Sequence, residues 1–249
     1  MDLTTALGFV GAISLIYMGA ASGEISSTLL NWHGMVVVLG GTGVAVLINT
    51  PGRYIKEALR AFLTMGASSP YKRPEDTIVL MVSIGEQAQG RGISALREVD
   101  QRTVGGFLGK AAQVALEHND PQFVRMVLEQ EINQSMDQQN EVANVFRTMS
   151  IMAPMFGLIG TLLGIVNVLK EISNPEAVGA AMAVAISSAF YGILLANVVC
   201  VPVAGKLRIR SWEESITKAI VLEGVLLIME GTVPAVIERR LQAFYMSQR

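Results

Sequence analysis

The sequence predicts an all-α, polytopic membrane protein with four transmembrane helices and a helical cytoplasmic domain. Three observations carry this reading. Apolar residues make up 51% of the 249-residue chain and charged residues only 16%, against roughly 25% charged in ordinary globular domains. Four uncharged stretches reach the length of about 20 apolar residues that a helix needs to cross the hydrocarbon layer. The segments between and after them hold nearly all of the charge.

The first stretch runs from Leu3 to Gly23. A cleaved signal peptide would open with a basic segment, but the first Lys or Arg is Arg53, so the stretch is read as a retained span. The second, Ile25 to Gly52, carries no formal charge apart from the option of a protonated His33. Thr148 to Leu169 and Val178 to Gly205 supply the third and fourth. The expected organisation is therefore two spans in 1–52, a cytoplasmic helical domain in 53–147, two spans in 148–205 and a helical cytoplasmic tail in 206–249. Eleven of the 19 Lys and Arg residues lie in 53–147 and seven in 206–249. Basic segments are retained on the cytoplasmic side of a membrane. This bias puts both regions, and with four spans both termini, in the cytoplasm.

Within the 53–147 segment, Pro74-Glu75-Asp76 supplies an acidic first helical turn, and Ile78 and Val82 then share a face. A second helix is expected over Gly105 to Glu117. A third opens at Asp120-Pro121, a capping residue followed by proline at the first helical position. There Val124, Leu128, Ile132 and Met136 repeat every four residues. With no Pro or Gly before Pro154, this helix can run straight into the third span. Ile216 and Ile220 give the tail a similar stripe.

No nucleophile–base pair, phosphate loop or metal-ligand cluster is present, so neither an enzyme nor a cofactor is expected, and nothing points to nucleic acid. The single cysteine, Cys200, excludes a disulfide framework. Gly157, Gly160 and Gly164 recur three and four apart, a spacing that lets membrane helices approach closely. Polar groups interrupt the third and fourth spans at Thr161, Ser187, Ser188, Tyr191 and Asn197. They either bond back to their own helix or line a path open to water or ions. Pro154 and Pro202 each free a carbonyl one turn earlier, and are read as a hinge near the cytoplasmic ends of their spans. None of the four spans holds Asp, Glu, Lys or Arg. Ion passage through a membrane ordinarily uses an ionisable group, so a conducting assembly needs a second polypeptide to bring one.

Ala153-Pro154-Met155-Phe156-Gly157-Leu158-Ile159-Gly160-Thr161 resembles the opening of the third span in the MotA/PomA family of stator subunits. Gly40-Gly41-Thr42, Asp120-Pro121, Phe190-Tyr191-Gly192 through Leu195-Ala196-Asn197, Pro202 and Glu230-Gly231-Thr232-Val233-Pro234 are similar to family patterns in the same order. The resemblance implies a pentameric ring of this chain in membrane lipid around a dimer of a MotB-type partner, which brings one transmembrane helix with an essential Asp. It implies passage of H+ or Na+, with torque delivered to the rotor protein FliG of the flagellar motor. Thr161 matches a hydroxyl near the partner's aspartate, and Pro154 and Pro202 match the prolines that couple ion passage to movement. Ala189 stands where many members have a threonine, which leans the ion toward protons. The family's rotor-contacting Arg and Glu fall on Gln89 and Arg97 here. Arg91 and Glu98, seven apart and so on one helical face, are the nearest substitutes. These departures keep open a TolQ/ExbB-like or other non-flagellar energiser, and a non-conducting membrane scaffold.

Overall fold

The structure, a computed structural model, describes residues 31–65 and 73–247, with eight scattered helical positions between Leu7 and Met18. All regular structure among the described residues is helical. Helix α1 spans Trp32–Asn49 and contains a π-helical segment, Val36–Gly40. It starts where Asn31 Oδ1 accepts hydrogen bonds from the backbone N–H groups of His33 and Gly34 (3.0 and 3.3 Å), satisfying donors that a helix start leaves unpaired. Helix α2, Gly52–Leu63, follows at once behind Pro51. Helix α3, Pro74–Arg91, has Glu75 and Asp76 in its first turn. It ends at Gly92, whose φ of 63° suits a residue without a β-carbon. Two short 3-10 segments, Gly92–Glu98 and Thr103–Gly106, lead into α4, Phe107–Glu117.

Helix α5 runs unbroken from Pro121 to Lys170, with Pro154 inside it. Asp120 Oδ1 caps it by accepting from the Gln122 N–H at 2.9 Å. Helix α6 extends over Pro175–Met229 and takes up a π-helical segment, Leu195–Cys200, just ahead of Pro202. Helix α7, Pro234–Ser247, follows the turn at Gly231, where φ is 70°.

The expectation of four spans is corrected. A span needs one continuous apolar helix of about 20 residues, and three helices among the described residues have that length and composition: α1, α5 and α6. The first expected stretch, Leu3–Gly23, lies outside the described residues except for the scattered positions already given. The expected helix over Gly105 to Glu117 also starts later, at Phe107. Val104, Gly105 and Gly106 all have positive φ, and two consecutive glycines make that turn inexpensive.

The chain divides into two compact units. Unit 1 comprises 1–68 and 141–207, and unit 2 comprises 69–140 and 208–249. Unit 2 is built as a water-soluble domain is, around large buried side chains that include Met81, Leu96, Leu108, Leu128, Ile220, Ile237 and Leu241. The stripe on α5 does what its spacing predicts: Val124, Leu128 and Ile132 are buried and Met136 is half-buried. Polar contacts tie the same helices together. Arg125 donates to both carboxylate oxygens of Glu223 (2.6 and 3.2 Å), and these hydrogen bonds hold its guanidinium pKa above the ordinary value. Lys218 pairs with Glu214 at 2.6 Å, with only 9% and 11% of the two side chains exposed, and donates to Ser135 Oγ at 2.7 Å.

Unit 1 has a smaller apolar cluster: Val46, Ala58, Met65, Val142, Val145, Phe146 and Val203. It joins the end of α1, the inner face of α2, the 141–149 stretch of α5 and the part of α6 just beyond Pro202. Outside it, the spans expose Leu158, Leu162, Ile186 and Ile193. In water such surface would be costly; in hydrocarbon it is the ordinary outer face of a helix.

Candidate functional site

The spans of unit 1 meet along a seam of small residues. A β-carbon on Gly157 would sit 3.0 Å from the Ser188 carbonyl oxygen and 3.4 Å from the Cα atoms of Ala189 and Gly192. One on Gly164 would lie 2.6 Å from the Ala185 Cβ, and one on Gly192 would lie 2.6 Å from the Ala153 carbonyl oxygen. These separations leave no room for side chains, so the α5 and α6 backbones are in direct contact. Lipid tails are as apolar as the side chains, which removes the usual hydrophobic drive between helices; close packing of small residues replaces it.

Ser187 and Ser188 lie inside this seam, both fully buried. A β-carbon on Gly34 of α1 would stand 2.9 Å from each of their hydroxyl oxygens. Both hydroxyls donate to the Val184 carbonyl, at 3.2 and 2.7 Å. Bonding back to the preceding turn satisfies a hydroxyl where no water reaches. Ala189 is half-buried next to them. Tyr191 Oη accepts from the Asn31 backbone N–H at 3.3 Å, linking α6 to the start of α1. Thr161 is half-exposed, and its hydroxyl donates to the Leu158 carbonyl at 2.6 Å. Within unit 1, Thr161 is thus the hydroxyl at the surface of the seam and the two serines are its filling. Asn197 is exposed and donates to the Ile193 carbonyl at 2.9 Å.

The two prolines occupy different settings. Pro154 is half-buried, with its backbone against Gly192: a β-carbon there would be 3.2 Å from the Pro154 Cα. Pro202 is exposed and follows the π-helical segment. Proline has no N–H to give and its ring crowds the carbonyl one turn back; widening the preceding turn to a π-helix relieves both. Such segments recur at functional sites.

Arg91 donates to both carboxylate oxygens of Glu98, at 2.9 and 3.0 Å, on an exposed surface of unit 2. They do not share a helical face: α3 stops at Gly92, and the 3-10 segment carries Glu98 back to Arg91. Arg97 is exposed beside them in sequence but outside the pair. Cys200 is buried and free. Among the described residues there is no group of three His, Cys, Asp or Glu side chains able to hold a metal.

Sequence reasoning passed over Gly34, Gly192 and Thr42 as site residues. Thr42 is 1% exposed, and its hydroxyl has no hydrogen-bond partner among the described residues. Its signal was its place in Gly40-Gly41-Thr42, where small residues lead to a hydroxyl. The contacts of Gly34 and Gly192 depend on which helices become neighbours and leave no local signal.

Long apolar helices joined by a small-residue seam define a polytopic helical membrane protein. Residues 100–219 match the MotA/TolQ/ExbB proton channel family. The chain is 32% identical to the chemotaxis protein PomA of Vibrio alginolyticus over 98% of its own length and 95% of that protein. The flagellar MotAB stator complex from Bacillus subtilis has a chain 25% identical to it, with a TM-score of 0.88 over 97% of this chain and 95% of that one. The C. jejuni MotAB structure shares the fold, with a TM-score of 0.87 at 22% identity over 98% and 96% of the two chains. This chain belongs to the MotA/PomA flagellar stator family, within the MotA/TolQ/ExbB superfamily, whose members are ion channels rather than enzymes.

Proposed function

We propose that this chain, a stator-type ion-channel subunit by family, forms the ring part of a flagellar motor unit in the inner membrane and works with a MotB-type partner. The observation that carries the reading is the absence of any carboxylate in spans whose seam holds buried hydroxyls: Trp32–Asn49, 148–169 and 178–205 contain no Asp, Glu, Lys or Arg, and His33 stands at the very start of its helix. A carboxylate in the ion path then comes from another polypeptide, here a single-span partner with an aspartate. The ring is pentameric, copies of this chain meeting side by side. Thr161, half-exposed at the seam surface, faces that aspartate. The ion is the proton, because Ala189 offers no second hydroxyl next to Tyr191. Segment 53–147 and the tail lie on the cytoplasmic side, as their basic residues demand, and the exposed Arg91–Glu98 turn with Arg97 meets the rotor protein FliG.

A unit charge falling through 100 mV releases about 2.3 kcal/mol, enough to shift a few weak contacts around Pro154 and Pro202 but not to unpack the seam. The test is ion uptake by vesicles containing this chain and its partner. Thr161→Ala and the partner's Asp→Asn are expected to cut uptake, whereas Pro154→Ala and Pro202→Ala are expected to spare assembly and uncouple torque. Unchanged uptake in both of the first two variants would leave a scaffold instead. Uptake that follows sodium rather than a pH gradient would reassign the ion.

A further inference from the structure

Helix α2 has two outer features that the ion path does not use. Its inner face is occupied: Ala58 is buried, and Tyr54, Ile55 and Ala61 pack on the cluster of Val142, Val145, Phe146 and Val203. Its outer face carries an apolar stripe, Leu59 and Leu63, 60% and 74% exposed, one helical turn apart. Beside that stripe runs a basic one, exposed Lys56 and Arg60, also one turn apart. Among the described residues neither cation has a carboxylate partner. The helix's own acid, Glu57, is half-buried and off this face. Arg53 is engaged with Tyr54, donating to its hydroxyl at 2.9 Å with the guanidinium 4.6 Å from the ring centre.

Position decides what covers this face. Only Thr50 and Pro51 separate α2 from the end of α1, where Leu47 and Ile48 are exposed. The outer stripe of α2 therefore starts within a few residues of the end of a helix long and apolar enough to cross a membrane. A short helix with neighbouring apolar and basic stripes at a membrane boundary has the build of an in-plane interfacial helix. Cations held at headgroup depth are drawn to anionic lipid.

We propose that α2 lies in the lipid–water interface, with Leu59 and Leu63 among the acyl chains and Lys56 and Arg60 binding the headgroup phosphates of anionic phospholipids. Because the inner face holds Phe146, at a ring-centroid distance of 6.1 Å from Phe62, and Val203, beside Pro202, bound lipid steadies the two span helices next to their prolines. The proposal needs only the membrane placement of α1 and not the ion path, so neither readout below involves ion flux.

The purified full chain is placed in bilayers containing equal phosphatidylglycerol and phosphatidylcholine, and the lipids that stay bound are counted by native mass spectrometry. Each surface cation is worth about fivefold in binding to an anionic bilayer. Lys56→Gln should thus lower the preference for phosphatidylglycerol about fivefold and K56Q/R60Q roughly 30-fold. R239Q/R240Q, on exposed positions of α7, should leave it unchanged. A K56Q/R60Q chain with the parental preference, or an equal loss in R239Q/R240Q, overturns the assignment. A nitroxide at position 63 (L63C in a C200A background) then reports depth in phosphatidylglycerol vesicles. Collisions with oxygen should exceed those with a water-soluble nickel chelate. The reverse order overturns the interfacial seat, and shielding from both reagents would show that a second copy of the chain covers the stripe instead.

Discussion

The two units of this chain solve one packing problem with opposite materials. Unit 2 is filled with Met81, Leu96, Leu108, Leu128 and Ile220, because in water the burial of large apolar groups drives folding, at about 25 cal/mol per Å². Along the spans of unit 1 large side chains such as Leu158, Leu162, Ile186 and Ile193 are exposed, and Gly157, Gly164, Gly192, Ala185 and Ser188 fill the seam. Their polar groups differ in the same way. Unit 2 can afford charge in its core, as Lys218 and Glu214 show; the seam of unit 1 uses hydroxyls that bond back to Val184. The surrounding solvent selects the filling.

The most damaging way to break the comparison is to unbalance the charge in unit 2. Lys218→Met leaves Glu214 buried without its cation and should destabilise unit 2 by about 3–5 kcal/mol, while Glu214→Leu with Lys218→Met should recover most of the loss or exceed the parent. Thermal unfolding of the two variants checks this, and equal losses would mean that Ser135 or water carries the lysine. In unit 1 the corresponding weak point is bulk. Gly192→Val drives a side chain into the Ala153 carbonyl and should cost about 1–3 kcal/mol, read as a lower melting temperature and weakened assembly in detergent. Gly179→Val, at a helix position with open space around it, should change little; a matching loss there would remove the seam as the cause. The smallest effect on stability belongs to the exposed Arg91–Glu98 pair, where R91E/E98R should shift unfolding by less than about 1 kcal/mol. Swimming assays would then show whether the altered charge pattern weakens rotor contact, which the proposed function requires.

Much of the helical layout is legible from residue order. Asp120-Pro121 announces the start of α5 and Pro74-Glu75-Asp76 that of α3, since caps and first-turn charges act within a few residues. The buried stripe Val124, Leu128, Ile132 follows from the helical period alone. The shared helical face expected for Arg91 and Glu98 is absent: a spacing of seven suggests one face, and only the positive φ at Gly92 reveals the turn that joins them. The site was less legible. Ser187, Ser188 and Thr161 all read as polar interruptions of apolar helices, and nothing local separates the two that fill the seam from the one at its surface.

By itself the sequence determined that the chain holds long uncharged helices of membrane-crossing length, that basic segments flank them and that those helices carry no Asp or Glu. Those properties are sums over neighbouring residues, set by length, composition and charge. The tertiary structure alone decided which face of each span turns inward, and so paired Gly192 with Ala153 and Gly34 with the two serines. A helix that is apolar nearly all round has no strong preferred face of its own; only the helices that come to lie beside it choose one.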